Sequence, residues 1–276
     1  MGRVAVLGSL NVDVVTLVER HPRPGETVLG RSGGRFAGGK GGNQAVAAAA
    51  AGADVAMVAA VGDDEGGRAY VERLRSRGVD VTAVRTTSAP TGQAWITVDD
   101  EGENAIVVIP GANGQVAPEG LTDALAGLGA GDVLLLQLEV PVRTVAAAAR
   151  LAHGAGARVV LNAAPYAALP HDVAALADPL VVNEHEALQL ADSDAQPTSL
   201  LVTFGAAGCS WDGERHDGIP VDAADVVDTT GAGDAFCGAL AAALARGADR
   251  HAAIRAASQA GADAVRHRGA QLDPEL

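Results

Sequence analysis

Short apolar runs alternate with helix-length segments along most of the chain. The apolar runs are continuous, as in parallel strands that are buried on both faces, and they predict strands at 4–7, 55–61, 133–138, 158–161, 180–182 and 200–203. Helices are predicted between and after them at 43–51, 65–77, 141–152, 184–191, 235–246 and 250–265. This alternation predicts an α/β fold with a three-layer, doubly wound, mainly parallel sheet.

Two regions, 12–31 and 91–109, interrupt that rhythm. The first contains two short apolar runs, VDVVTLV and ETVLG, joined by the turn-rich segment HPRPG. The second is typical of a hairpin, in which the turn DDEGE joins the strands GQAWITV and NAIVVI. We expect them to form a small β-sheet that lies as a lid across the carboxyl ends of the main strands. Because no linker or repeat divides the remainder, residues 1–276 are predicted to be one domain with two lid excursions.

Composition narrows the possible partners. Apolar residues are 48% of the 276 residues and the net charge is −14, so the chain can build a large core but repels nucleic-acid phosphates. The start MGRVAVLGSL lacks a hydrophobic signal core, and the longest weakly polar stretch is broken by Gly52 and Asp54. We therefore expect a cytoplasmic protein with no nucleic-acid or membrane partner.

The run DTTGAGDAF, residues 228–236, carries the clearest chemical signal. Gly231, Ala232 and Gly233 precede Asp234 directly, and an alanine-rich helical segment follows. Small residues let a ligand approach the backbone, and the free N–H groups of a first helical turn attract phosphate. A carboxylate there is suited to take a proton from an attacking hydroxyl. The alternative is that Asp234 only caps the helix.

A second glycine cluster, GGRFAGGKGGNQA, surrounds the only lysine of the chain, Lys40. Its spacing approaches that of a phosphate-binding Walker A loop, but Gly41 stands where Ser or Thr should ligate magnesium. We interpret the cluster as a floor from which Lys40 and Asn43 reach a small polar ligand. A flexible turn before a helix is the alternative.

Polar side chains follow several predicted strands at their carboxyl ends, where α/β folds bind ligands. Asn11 and Asp13 alternate with apolar residues and suit sugar hydroxyls, although each type is also common in turns. Glu139 follows another strand. Asn183 and Glu186 could hold the water shell of Mg²⁺, or Glu186 could only complement a helix dipole.

In this order along the chain, the segments GSLNVD, PGET, GGKGGNQA, TGQAWI, GENAIVVIPGAN, QLE, NAAP, NEHE, VTFGAAG and DTTGAGDAF resemble the ribokinases, within the ribokinase-like (PfkB) family of carbohydrate kinases. The resemblance covers nearly the whole chain, and GGKGGNQA with GENAI is closer to ribokinases than to fructokinases or adenosine kinases. It implies ATP-dependent phosphorylation of D-ribose at the 5-hydroxyl, giving ribose 5-phosphate and ADP.

The resemblance also implies residue roles. Asp234 matches the catalytic base, and Gly231, Ala232 and Gly233 match the anion hole. Sugar contacts would come from Asn11, Asp13, Gly39, Lys40, Asn43 and Glu139. Asn183 and Glu186 match the magnesium motif, and Asn183, Thr203, Gly205, Gly208, Gly233 and Ser258 the nucleotide contacts. An activating K⁺ ion would be held near Asp228, Thr230, Ala264, His267, Gly269 and Asp273. Family members often form homodimers through the lid.

Two alternatives stay open at this stage. One is a kinase of the same fold for deoxyribose, fructose or a nucleoside such as adenosine, for which Trp95 of the lid could stack on a base. The other is a catalytically silent sugar- or nucleotide-binding protein, because the 184–200 segment is shorter than is usual in the family.

Overall fold

The computed structural model describes residues 2–272 and 275–276. Its central feature is a 10-stranded sheet whose parallel strands are β1 (Val4–Leu7), β4 (Val55–Gly62), β5 (Val79–Asp80), β6 (Val84–Thr87), β9 (Val133–Leu136), β10 (Arg158–Asn162), β11 (Ala177–Asn183) and β12 (Leu200–Thr203). Seven of them follow the spatial order β12-β11-β10-β9-β1-β4-β5, and β6 also pairs with β4. The antiparallel strands β13 (Cys209–Trp211) and β14 (Glu214–His216) extend the sheet beyond β12.

Helices cover both faces of this sheet. One core cluster joins it to α1 (Lys40–Ala50), α2 (Glu65–Ser76), α7 (Ala232–Ala245) and α8 (Arg250–Ala264). The other joins it to α3 (Leu121–Ala124), α4 (Val142–Gly154), α5 (His171–Leu176) and α6 (Glu184–Ala191). The predicted three-layer α/β fold is confirmed. Among the described residues, no helix is long and apolar enough to cross a membrane.

A separate sheet consists of four strands, β2 (Asn11–Val18), β3 (Gly30–Gly38), β7 (Gly92–Val98) and β8 (Asn104–Ile109). Their spatial order is β3-β2-β7-β8. The hairpin β7–β8 is where the pattern predicts it. The predicted strand at ETVLG is wrong: residues 26–29 lie outside any strand, and the glycine-rich segment Gly30–Gly38 pairs with β2 instead.

The chain reverses its direction of sheet growth between β1 and β9. From β1 it adds β4 and β5 on one side, and from β9 it adds β10, β11 and β12 on the other. Loops that leave such a switch point diverge and open a crevice at the carboxyl ends of the strands. The segments that follow β1 and β9, and the glycine cluster between β3 and α1, therefore meet at this crevice.

Candidate active site

Asp234 lies in the first turn of α7 with 6% of its surface exposed. Its Oδ2 accepts a hydrogen bond from Asn43 Nδ2 and its Oδ1 one from Gln44 Nε2, both at 2.9 Å. The N-cap of α7 is Gly231, which makes no side-chain capping bond. The helix begins at Ala232, three residues before the predicted start, so Asp234 is a member of the turn rather than its cap, and its carboxylate is directed toward α1.

Of the two glycines before Asp234, Gly231 is closely packed and Gly233 has open space beside it. Gly231 has φ 79°, a left-handed conformation that favours glycine, and a Cβ there would lie 2.5 Å from Cα of Ala270. A Cβ at Gly233 would meet no atom of the described protein within 4 Å. The N–H of Ala232 donates to the carbonyl oxygen of Thr229 at 3.3 Å. The first N–H groups of a helix have no acceptor within it, so the N–H of Gly233 is placed to bind an anion here.

A small cavity of about 130 Å³ joins many of the predicted residues. Its lining includes Lys40, Asn183, Glu186, Thr203, Gly231, Gly233 and Asp234. Lys40 begins α1 and carries the one lysine ammonium of the sequence. Burial lowers the pKa of Lys40, but the carboxylates of Asp234, Glu139 and Glu186 outweigh burial and raise it overall. The cavity therefore holds a fixed positive charge among acids.

Asn11 and Asp13 lie on β2 of the small sheet, and Glu139 follows β9 of the central sheet. Asn11 is 3% exposed, and its Oδ1 accepts a bond of 2.7 Å from Asn113 Nδ2. Glu139 Oε2 accepts hydrogen bonds from the Ser9 hydroxyl and from the backbone N–H of Lys40.

Asp13 is packed tightly. Oδ1 of Asp13 is buried and has no hydrogen-bond partner among the described residues. A Cβ at Gly38 would lie 2.0 Å from Oδ2 of Asp13, so only glycine fits beside it. Burial, and then the charges of Glu139 and Asp234, raise the pKa of Asp13 to about 7. An unsatisfied acceptor in this position is suited to a hydroxyl donor from a ligand.

Gly39 connects the two glycine-rich elements. It has φ 82° between β3 and α1, and a Cβ there would lie 2.8 Å from the backbone nitrogen of Asn11. A side chain at this position would therefore push the first residue of β2 away from α1.

Asn183 and Glu186 form a reciprocal capping box at the start of α6. Asn183 Oδ1 accepts from the backbone N–H of Glu186 at 2.8 Å, and Glu186 Oε2 accepts from that of Asn183 at 2.9 Å. The capping role and the cavity position coexist at Glu186, because it uses only one of its two carboxylate oxygens in the cap, whereas Asn183 uses its single amide oxygen. Oε1 of Glu186 stays available to the cavity, and an oxygen donor set fits Mg²⁺ held through water.

The residues predicted to contact a nucleotide follow β12 and lie on α8. Thr203 ends β12. Gly205 begins a 3-10 turn with φ 55°, and Gly208 follows that turn with φ 97°. A Cβ at Gly208 would lie 2.1 Å from the carbonyl oxygen of His216, so the turn is closely packed. Ser258 is half-buried on α8. Despite the short connection, β11 and β12 pair in parallel, as predicted.

The residues predicted near a monovalent cation come from two segments that meet. Asp228 accepts 2.9 Å hydrogen bonds from the backbone N–H groups of Thr230 and Gly269. Burial raises the pKa of Asp228, but these bonds and the charge of Arg268 lower it overall. The N–H of His267 donates to the carbonyl oxygen of Ala264. Asp273 lies outside the described residues.

Sequence reasoning missed the amide network around Asp234. Gln137 Nε2 donates to Gln44 Oε1 at 2.6 Å, and Gln271 Nε2 donates to Asn43 Oδ1 at 2.9 Å. Tyr70 accepts from Gln271 and donates to the carbonyl of Gly38. The available signals were a Gln directly after Asn43 and another at the end of an apolar strand, and neither is specific.

Comparison with known proteins covers the whole chain. A family described as "pfkB family carbohydrate kinase" matches residues 1–276. The ribokinase of Bacillus subtilis (strain 168) is 40% identical over 280 residues, which are 98% of this chain and 95% of that protein. The deoxyribokinase of Salmonella typhi is 34% identical over 291 residues, which are 97% of this chain and 94% of that protein. The structure of Arabidopsis thaliana ribokinase complexed with ribose and ATP superposes with a TM-score of 0.86 at 30% identity. The superposition covers 98% of this chain and 95% of that one.

Proposed function

The chain belongs to the pfkB family of carbohydrate kinases, and we propose that it transfers the γ-phosphoryl group of ATP to the 5-hydroxyl of D-ribose. One observation carries this proposal: Asp234 is held by two amides in the first turn of α7, beside the open backbone at Gly233. A carboxylate acceptor and an anion-binding helix start are what phosphoryl transfer to a hydroxyl requires.

In this reaction the chain's residues act mainly by position. The Asp234 carboxylate orients the sugar hydroxyl and accepts its proton as the oxygen attacks phosphorus. The backbone N–H of Gly233, joined by that of Ala232 when it exchanges its 3.3 Å bond to the Thr229 carbonyl for the phosphate, stabilises the charge that develops on the transferred group. Lys40 adds a fixed positive charge in the same cavity. Closure of the small sheet would exclude water and limit hydrolysis of ATP.

The remaining polar residues supply binding. The other sugar hydroxyls would be held by Asn11, Asp13, Asn43, Glu139 and the backbone at Gly39. The unsatisfied Oδ1 of Asp13 supports that role. Thr203, the glycines of the following turn and Ser258 would border the nucleotide. Asn183 and Glu186 would hold Mg²⁺ through water, and the ion supplies charge neutralisation at the phosphates when bound.

A K⁺ site is part of the proposal. Asp228, Thr230 and Gly269 are joined by hydrogen bonds, and carbonyl oxygens of the kind exposed in such loops coordinate K⁺. Ala264 and His267 lie in the adjoining segment. Because α7 begins at Ala232, two residues after Thr230, a cation there would stabilise the helix start that binds the phosphate.

A homodimer through the small sheet is also proposed. Ile106, Val107 and Val108 on the edge strand β8 are 48–64% exposed, and Trp95 of the adjacent strand β7 is 47% exposed. An apolar edge strand is a ready surface for pairing.

Deoxyribose is the second candidate substrate. It is favoured by the 34% identity to a deoxyribokinase. The two sugars differ by one hydroxyl, and a site that hydrogen-bonds that group discriminates strongly against its absence.

The experiment that tests the function is ADP release with ATP, Mg²⁺ and K⁺ against ribose, deoxyribose, fructose and adenosine. We expect turnover with the highest kcat/KM on ribose. Preference for another member of the panel would replace the substrate but keep the mechanism. Ribose binding by calorimetry without ADP formation would overturn catalysis and favour a binding protein.

A further inference from the structure

Three potential metal ligands from two segments of the chain, β14 and the start of α8, meet at the edge of the central sheet, outside the cavity of Asp234. Glu214 and His216 lie on β14 two residues apart, so their side chains leave the same face of the strand. His251 lies in the first turn of α8. One ligand atom from each side chain lies within 4.8 Å of the other two, and the His216 and His251 rings meet edge to face.

We propose that Glu214, His216 and His251 bind a divalent transition metal of the Zn²⁺ type. Two imidazole nitrogens and one carboxylate oxygen form a three-ligand set typical of zinc, with the fourth position open to water. Donors around tetrahedral zinc are about 3.4 Å apart when the bonds are about 2.0–2.1 Å. Nε2 of His251 and Oε1 of Glu214 are 3.5 Å apart, close to that spacing, and ligand atoms of all three side chains lie within 4.8 Å of one another.

The neighbouring cationic side chains are held away from this cluster. The guanidinium of Arg215 lies 4.3 Å from the centre of the Phe204 ring and donates to the carbonyl of Ala207. Arg250 pairs with Asp212 at 2.8 Å and lies over the Trp211 ring. Because both arginines have other partners, neither neutralises Glu214 in place of a metal.

A metal here would join β14 to the start of α8, which are distant in the sequence. Such a link forms only in the folded protein, so binding raises stability by mass action. The site lies outside the cavity of Asp234. In a buffer whose only metal ions are Mg²⁺ and K⁺, replacing its two histidines should therefore leave turnover unchanged.

The test is calorimetric titration of the tag-free, nucleotide-free protein with Zn²⁺, together with thermal unfolding. The wild type is expected to bind one Zn²⁺ at this cluster and to gain about 5 °C in Tm when free Zn²⁺ is 100-fold above Kd. His216→Ala/His251→Ala should lose at least about 10-fold in affinity and the Tm gain. The control His153→Ala/His171→Ala removes two exposed histidines elsewhere. It should retain the Zn²⁺ affinity and the Tm gain of the wild type.

Equal affinity and Tm gain in the wild type and the His216→Ala/His251→Ala variant would overturn the proposal, because Zn²⁺ would then bind elsewhere, such as at the active-site acids. Absence of Zn²⁺ binding to the wild type would overturn it as well. Co²⁺ absorption gives a second readout: a tetrahedral spectrum that disappears in the double variant supports the cluster, and one that persists contradicts it.

A second, independent observation concerns Gln44 and Gln137, both 0% exposed. Gln44 Nε2 donates to Asp234 Oδ1 at 2.9 Å, and Gln137 Nε2 donates to Gln44 Oε1 at 2.6 Å. Because Gln137 occupies the oxygen of the Gln44 amide, it fixes which end of that amide faces Asp234. The space is tight, since a Cβ at Gly8 would lie 1.8 Å from Oε1 of Gln137.

From this geometry we infer that Gln44 is a positioning residue for Asp234 and that Gln137 sets its orientation, an inference that rests on the proposed function. Asn43 holds the other oxygen, so the carboxylate is fixed against rotation by two donors from one helix. A base that rotates away from the hydroxyl loses much of its effect, since small misplacements cost large factors in rate.

Gln44→Met tests this role, since it retains length and removes the donor. We expect a loss of about 10-fold in kcat, little change in KM for the sugar, and an altered pH profile of kcat. The double variant Gln44→Met/Gln137→Leu replaces both partners with apolar groups, which leaves no unpaired amide and favours folding. Wild-type kcat and pH profile in both variants would overturn the positioning role.

Asp234→Asn measured in parallel separates the two hypotheses. If Asp234→Asn is inactive while both glutamine variants are fully active, only the positioning role fails. If Asp234→Asn keeps full activity, the proposed function fails.

Discussion

Asn43 and Asp234 are 191 residues apart in the chain, yet Nδ2 of Asn43 donates a hydrogen bond of 2.9 Å to Oδ2 of Asp234. The bond joins the first turns of α1 and α7, which pack on the same face of the central sheet. The glycine cluster around Lys40 and the run that contains Asp234 are therefore two sides of one site.

Asp234→Asn should lower kcat at least about 100-fold, because the amide cannot accept the hydroxyl proton. Sugar affinity should change little, since the substitution preserves the shape of the side chain. Steady-state kinetics and calorimetry of sugar binding check the two parts. The exposed Asp225→Asn is the matched control and should behave as wild type.

Lys40→Arg should lower kcat/KM for the sugar at least about 10-fold. The cavity is only about 130 Å³, and a planar guanidinium is larger than an ammonium and directs its donors differently. Steady-state kinetics with the sugar varied measures the loss. Arg255→Lys, an exchange of the same two side chains at an exposed position, should leave kcat/KM unchanged. Unaltered kinetics in Lys40→Arg would show that charge alone suffices.

Asp13 should make the ligand-free protein less stable as pH rises. Burial and the neighbouring acids raise its pKa from 3.8 to about 7, so the folded state favours the protonated carboxyl. The stability that this proton confers is complete below pH 3.8 and is lost as pH rises through about 7. Urea unfolding of the wild type and Asp13→Asn between pH 4 and 8 should show the wild type losing free energy of unfolding relative to the variant. A pH-independent difference would contradict the raised pKa.

Replacing K⁺ with tetramethylammonium at constant ionic strength should lower turnover about 5-fold or more, a typical coupling between two sites. Asp228→Asn should reduce this dependence, because it weakens the link between the segments at Thr230 and Gly269. Turnover assays across K⁺ concentrations measure the effect. Asp225→Asn should retain the full response, and identical turnover of the wild type in both salts would remove the K⁺ proposal.

Val107→Lys should convert a dimer to a monomer, because it places a charge on the apolar edge strand β8. Size-exclusion chromatography with light scattering at micromolar protein determines the mass. Leu188→Lys introduces the same charge at an apolar residue of α6 that is 68% exposed, and it should leave the mass unchanged. A wild-type monomer at all concentrations would contradict the dimer.

The fold was largely predictable because strands buried on both faces must be apolar throughout. The runs at 4–7, 158–161 and 200–203 each coincide with a strand or lie within one. The strand β3 was not predicted, since GRSGGRFAG has neither alternation nor β-branched residues. Its conformation is set by pairing with β2 and by close contacts such as that of Gly38 with Asp13.

By itself, the sequence determined the α/β class, the glycine-rich ligand segments and Asp234 as the candidate base, because each depends on local chemistry or on a periodic pattern. Only the tertiary structure decided how Asp234 is held. Its partners Asn43 and Gln44, and the glutamines 137 and 271 behind them, come from separate elements. Amide side chains carry no periodic signal, and their partners are fixed by packing between elements distant in the chain.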